Sequence, residues 1–344
     1  MDNQLAIYNP LLHPLLTNYG GLDNYSILTY RYADVENNGM MNNYGWFSYS
    51  DSTFSTSATH TLNNFGSFGS DGNLLNSGIL NNDGYLNSTV SLDNNGTLTN
   101  NGALSIGHGN FSNGGMFNNN GVWSNYDGTI IGNNGTVINT DRLQNYGALQ
   151  NSGALTNDDT VNGSGTYTQS VGHTINNGSF SQGAIQINGG GVSGTGSFTG
   201  DVTIGSDASV NPGNSPGTLT FNGAFHSSGD FVFEIAGTAA GQYDVLAING
   251  AADFTGGNVE FDFIDGFHAS VGDHWDFLLA NNVTGWDSLS FSSNVSGLGT
   301  SITQDSLGAH LSITSVPEPE TYAMFMAGLG LMGFIARRRK NNQA

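Results

Sequence analysis

No cysteine occurs in the 344 residues, so the chain has no disulfide framework and no thiolate metal or redox site. Positive charge is almost as scarce. Lys and Arg total six against 27 Asp and Glu, and residues 337–340 hold all of the basic side chains except Arg31 and Arg142. A body this acidic repels phosphate, which excludes nucleic acid as a partner. It also lacks the cations needed to cleave an acidic sugar beside its carboxylate, which weighs against a lyase. Long apolar runs are absent until residue 322.

What is abundant is Gly, at 51 residues, together with Asn, Ser and Thr. Such a composition alone suits disorder, but the apolar residues are ordered. Leu62, Phe68, Leu74, Leu80, Leu86, Leu92, Leu98 and Leu104 recur at every sixth position, and the series continues with occasional seven-residue steps through Phe111, Phe117, Trp123, Ile130, Val137, Leu143, Leu149, Leu155 and Val161. A glycine stands two residues before most of them, as at Gly66, Gly72, Gly84, Gly102, Gly121 and Gly128. The unit is Gly-x-Leu-x-Asn-x.

A period of six fits neither a helix nor a simply alternating strand. It fits an all-β solenoid, with about three strand residues carrying one inward side chain, then a corner where Asn-Gly supplies φ > 0. Three units make a coil, and coils stack at ~4.8 Å, so residues 62–161 predict about five coils and a rod of roughly 25 Å. Burial of one Leu per unit does not by itself offset the entropy of ordering six residues. Hydrogen bonds between coils and stacked Asn side chains must therefore contribute, making stability a property of the array.

This predicts an organisation in five parts: an N-terminal solenoid-like region at 1–61, six-residue repeats at 62–162, a Gly/Ser/Thr-rich continuation at 163–216, a region of longer strands at 217–315, and a C-terminal segment at 316–344. The longer strands are expected at Thr218–Phe221, Phe231–Ile235, Tyr243–Ile248, Asn258–Ile264, Trp275–Leu279, Leu289–Phe291 and His310–Ile313. The C-terminal segment runs Val316, Pro317, Glu318, Pro319, then an apolar stretch from Tyr322 to Ala336, then Arg337, Arg338, Arg339 and Lys340. The two prolines keep the start extended and accessible. A helix over 322–336 rises roughly 22 Å, and snorkelling basic side chains close part of the gap to a ~30 Å hydrocarbon core. The basic cluster places its flank on the cytoplasmic side and the body outside.

Order, spacing and position of these residues resemble the bacterial PEP-CTERM sorting signal. The resemblance implies export, transient anchoring by the C-terminal helix, processing by an exosortase-type membrane enzyme, and delivery to the cell surface or extracellular matrix. The repeats resemble filamentous-haemagglutinin coils, and Ser215-Pro216-Gly217 with Tyr243-Asp244-Val245 resembles an autotransporter passenger, though a single apolar segment cannot be that family's barrel. Met1-Asp2-Asn3-Gln4 carries no cation, and Asn9, Pro10, His13 and Pro14 interrupt the next apolar stretch. A start upstream of Met1 is therefore expected for an exported protein.

Candidate chemistry is sparse. His60, His108, His173, His226, His268, His274 and His310 are scattered singly without metal-ligand spacing. Asp273 and Asp276, flanking His274 and Trp275, offer oxygens of the kind Ca²⁺ prefers, though a strand-entry turn explains them equally well. Asp83, Asp93, Asp127, Asp141, Asp158 and Asp159 could supply the paired carboxylates of a hydrolase, but they fall mainly at turns, where Asp substitutes for Asn. Tyr44, Trp46, Tyr126 and Tyr146 are candidates for stacking on an exopolysaccharide, and equally for packing. The expectation is a non-enzymatic surface or biofilm-matrix protein with no catalytic residues and no cofactor. The alternatives are a β-helix polysaccharide hydrolase or lyase, and an adhesin held permanently in the membrane.

Overall fold

The computed structural model describes residues 5–8, 15–316 and 324–333. Its recurring element is a four-residue strand, as at Ile79–Asn82, Tyr85–Ser88 and Ser91–Asn94. Each pairs in parallel with the strand three places further along, so three strands close one coil and three parallel sheets run along the body. Leu62 sits under Leu80 and Leu80 under Leu98, an 18-residue coil, which lengthens to 19 and 20 at Phe117 and Val137. The six-residue period is thus one side of a triangle.

Two features of the unit differ from expectation. Each strand turns two side chains inward rather than one, because residues two apart share a strand face. In Ile79–Asn82, Leu80 and Asn82 are both fully buried. The corner glycines also serve a different purpose. Among those in residues 62–161 only Gly128 has positive φ, at 78°. The others allow coils to touch: a Cβ on Gly84 would lie 2.1 Å from the Gly66 carbonyl oxygen, and one on Gly102 2.1 Å from that of Gly84. At Asp127–Gly128–Thr129 the corner is longer, so Ile131 takes the inward position expected of Ile130, which is 41% exposed.

The three columns continue through the longer strands. Phe198, Phe221, Ile248 and Ala280 stack in one column at steps of 23, 27 and 32 residues, so coils widen toward the C-terminal end. The expected strands are present, with Tyr243–Ile248 displaced to Val245–Phe254. The parallel stack then stops. Strand His274–Thr284 pairs antiparallel with Gly308–Thr314, which pairs antiparallel with Gly299–Asp305. This antiparallel cap occupies pairing positions that would otherwise form an open edge.

The C-terminal helix is described over 324–333, and its side chains are exposed. Among the described residues no helix is long and apolar enough to cross a membrane. The ends of the expected span at 322–336 lie outside the described residues, and the described part gives no support to anchoring by this helix.

Candidate functional site

The Asn of each repeat unit does not face outward. Asn82 donates from Nδ2 to Oδ1 of Asn100 at 2.7 Å and to the Ala103 carbonyl at 2.9 Å, while its own Oδ1 accepts from Asn64 at 2.7 Å. One such ladder runs from Asn24 through Asn43, Asn64, Asn82, Asn100, Asn119, Asn139 and Asn157 to Asn176. A second joins Asn76, Asn94, Asn113, Asn133 and Asn151. An amide at the inward corner can both give to the coil above and receive from the coil below, so each interior rung satisfies the next. These side chains specify the fold and are closed to a ligand.

The outer surface carries its own, shorter ladders. Asn42 donates to Asp23, Asn63 to Asn42 and Asn81 to Asn63, each at 2.8 Å. Two of the candidate carboxylates belong to such rows: Asp83 accepts from Asn101 at 2.7 Å, and Asp158 from Asn177 at 2.8 Å. Asp159 accepts from the neighbouring Thr160 hydroxyl at 3.0 Å. Asp93 lies mid-strand rather than at a turn, with its pKa raised by burial. Asp127 edges a shallow groove with Tyr146. Tyr44 is sandwiched between Tyr25 and Phe65, with centroids 4.7 and 4.9 Å away and planes 3° and 11° apart, so both ring faces needed for stacking on a sugar are covered. Trp46 is half exposed, in register with Ile27 and Ser67.

A second groove lies where Asn211–Ser215 leaves the stack, lined by His173, Glu234 and Asp244 among others. The buried Asp244 carboxylate accepts the Gly217 N–H at 2.7 Å through Oδ1 and the Glu234 N–H at 2.8 Å through Oδ2. Burial pushes its pKa up to about 7, against the lowering effect of those two donors. Both oxygens are occupied in tying the loop to the sheet, which is a structural task. Sequence reasoning included Asp244 only within a resemblance; its burial was the missing signal.

The cap brings together residues that are distant in sequence. His274 and Asp276 share one face of their strand, and antiparallel register sets His310 opposite Asp276. Asp276 Oδ1 lies 2.9 Å from His274 Nε2 and 2.7 Å from His310 Nδ1. Burial opposes charge on His310, but Asp276 and Asp305 outweigh it and hold the pKa above the ordinary imidazole value. Of the two acids singled out from sequence, only Asp276 joins the cluster. Asp273 accepts the Ser270 N–H at 2.7 Å and closes a turn. These histidines stand scattered in the sequence because their meeting depends on an antiparallel pairing that spacing does not encode.

Beyond the cap, Val316 is exposed, and Pro317, Glu318, Pro319 and residues 337–340 lie outside the described residues. Comparison with family models matches residues 315–340 to the PEP-CTERM protein-sorting motif. Residues 315–340 are a PEP-CTERM sorting motif. The motif begins one residue after the last strand, Gly308–Thr314, so folded body and sorting segment adjoin without overlap. A PEP-CTERM motif implies export toward the cell envelope and processing by an exosortase-type enzyme. No curated protein matches the chain.

Proposed function

We infer that the chain is a non-catalytic structural rod, exported by its PEP-CTERM motif and placed at the bacterial cell surface or in the extracellular polysaccharide matrix. The observation that carries this reading is the use of the repeat: its recurring Leu, Asn and Gly positions form columns of coil-to-coil contact. The outer face carries rows of uncharged and acidic hydrogen-bonding side chains along the axis, interspersed with exposed apolar ones such as Ile79, Tyr85 and Met116. Such a surface suits many weak, repeated hydrogen bonds to a hydroxyl-rich polymer, whose combined strength comes from multivalency. The exposed apolar helix at 324–333 serves the sorting step in this reading, as the portion presented to the processing enzyme.

The test is to incubate the full chain with extracellular polysaccharide from a producing strain and measure co-sedimentation and release of reducing or unsaturated sugar ends. Retention with no new chain ends is the expected result. Release of ends at a rate proportional to protein would refute the structural reading and establish the hydrolase or lyase. Retention neither on polysaccharide nor on cells would refute the adhesive role.

A further inference from the structure

We propose that His274, Asp276 and His310 form a binding site for one divalent transition ion, best matched by Zn²⁺, which clips together the strands closing the solenoid. The inference goes beyond the rod reading and does not depend on it. The three ligand atoms, one per residue, all lie within 4.8 Å of one another. Their outer partners fix which nitrogens face inward. His274 turns Nδ1 to the Ser312 hydroxyl at 3.1 Å, leaving Nε2 toward Asp276. His310 sets Nε2 at 3.2 Å from the Asp305 carboxylate, leaving Nδ1 toward the same Asp276 oxygen.

That arrangement has a chemical consequence. A carboxylate beside an imidazole nitrogen keeps the proton on that nitrogen, and an outer-shell carboxylate is the usual means of orienting a ligating histidine. His310 Nδ1 faces the Asp276 carboxylate oxygen at 2.7 Å, while its Nε2, 3.2 Å from the Asp305 carboxylate, makes no aligned hydrogen bond. An imidazole nitrogen and a carboxylate oxygen this close share a cation between them, either a proton or a metal ion. Two imidazoles and one carboxylate suit Zn²⁺, Ni²⁺ or Cu²⁺, whereas Ca²⁺ and Mg²⁺ take shells of oxygen. Metal–ligand bonds of about 2.0–2.2 Å set tetrahedral ligands about 3.4 Å apart. The present contacts must therefore open by roughly half an ångström, and the half-exposed side chains of His274 and Asp276 have room to do so. Their exposure leaves the fourth position to water.

The ion would join strand His274–Thr284 to strand Gly308–Thr314 just before the sorting motif begins. The test uses the full chain, stripped with chelator and titrated calorimetrically with ZnCl₂, alongside thermal melts with and without the ion. The expected result is one ion per chain with micromolar or tighter affinity, and a raised melting temperature. His274→Gln and His310→Gln should each weaken binding at least about tenfold, while Asp273→Asn should not change it. Because His274 is exposed, its variant keeps the fold and remains informative if His310→Gln does not fold. No binding at about 100 µM Zn²⁺, or binding that survives His274→Gln, would overturn the proposal; the first outcome would assign a shared proton to the cluster instead.

Discussion

Asn100 offers a direct measure of what the interior ladder contributes. Its Nδ2 donates to Asn119 Oδ1 at 2.7 Å and to the Val122 carbonyl at 3.1 Å, and its Oδ1 accepts from Asn82 at 2.7 Å. All three amides are fully buried. Asn100→Ala removes three hydrogen bonds at about 1 kcal/mol each and strands the Asn119 oxygen without its donor, at a further 1–3 kcal/mol. The expected loss is about 4–6 kcal/mol, at least as large as the 2–5 kcal/mol for the core truncation Leu98→Ala. The adjacent Asn101 bonds to Asp83 and Asn120 on the exposed side, and Asn101→Ala should stay within about 0.5 kcal/mol. Urea unfolding followed by circular dichroism gives the ordering of the three variants. Because long repeat arrays lose two-state behaviour, hydrogen exchange of the strands on either side should show the same ordering locally. An Asn100→Ala loss below about 1 kcal/mol, indistinguishable from Asn101→Ala, would refute the claim that the ladder holds the coils together.

Where the ladder is broken, it should be repairable. Thr56 lies in register between Asn37 and Asn76, and both Thr56 Oγ1 and Asn76 Oδ1 are buried without partners. Thr56→Asn should complete the column and raise stability by about 1–2 kcal/mol in the same urea assay; a loss would mean the corner cannot accept the larger side chain. Gly84→Ala should cost at least about 3 kcal/mol, because its Cβ would meet the Gly66 carbonyl oxygen at 2.1 Å. Gly128→Ala, at φ 78° in open space, should cost only about 1–2 kcal/mol, and equal losses at the two sites would contradict the close-approach explanation. Asp244 predicts a pH dependence whose sign follows from its pKa of about 7 against an ordinary 3.8. The unfolded chain ionises above about pH 4 while the folded chain keeps the proton, so stability falls as pH rises from 4 to 7 and then levels. Asp244→Asn should lose this slope relative to the parent when the urea unfolding of both proteins is compared between pH 4 and pH 7.

The period of six made the solenoid legible because burial repeats faithfully: Leu62, Leu80 and Leu98 occupy one column in the structure as they occupy one phase of the sequence. The Asn at each unit's fifth position was equally regular, but a polar residue beside Gly reads first as a turn, and only the burial of Asn82 and Asn100 separates an interior amide from a corner one. The same ambiguity hid the role of the glycines. Left-handed φ and absence of a Cβ leave the same letter in the sequence, and here the second explanation governs nearly every repeat corner.

Past residue 217 the information changes kind. In the repeats, each contact joins residues 18–20 apart and is announced by periodicity. In the cap, His310 meets Asp276 across 34 residues by an antiparallel return that no period marks. A structural column can be read from sequence because every rung must repeat it, whereas a cluster formed once needs only one pairing to be correct. That contrast also locates where distinctive chemistry can arise in such a rod. A side chain inside the stack is constrained by the rungs above and below it, so variation there costs stability. At the cap the stack ends, the constraint lapses on one side, and His274, Asp276 and His310 can be chosen for what they bind.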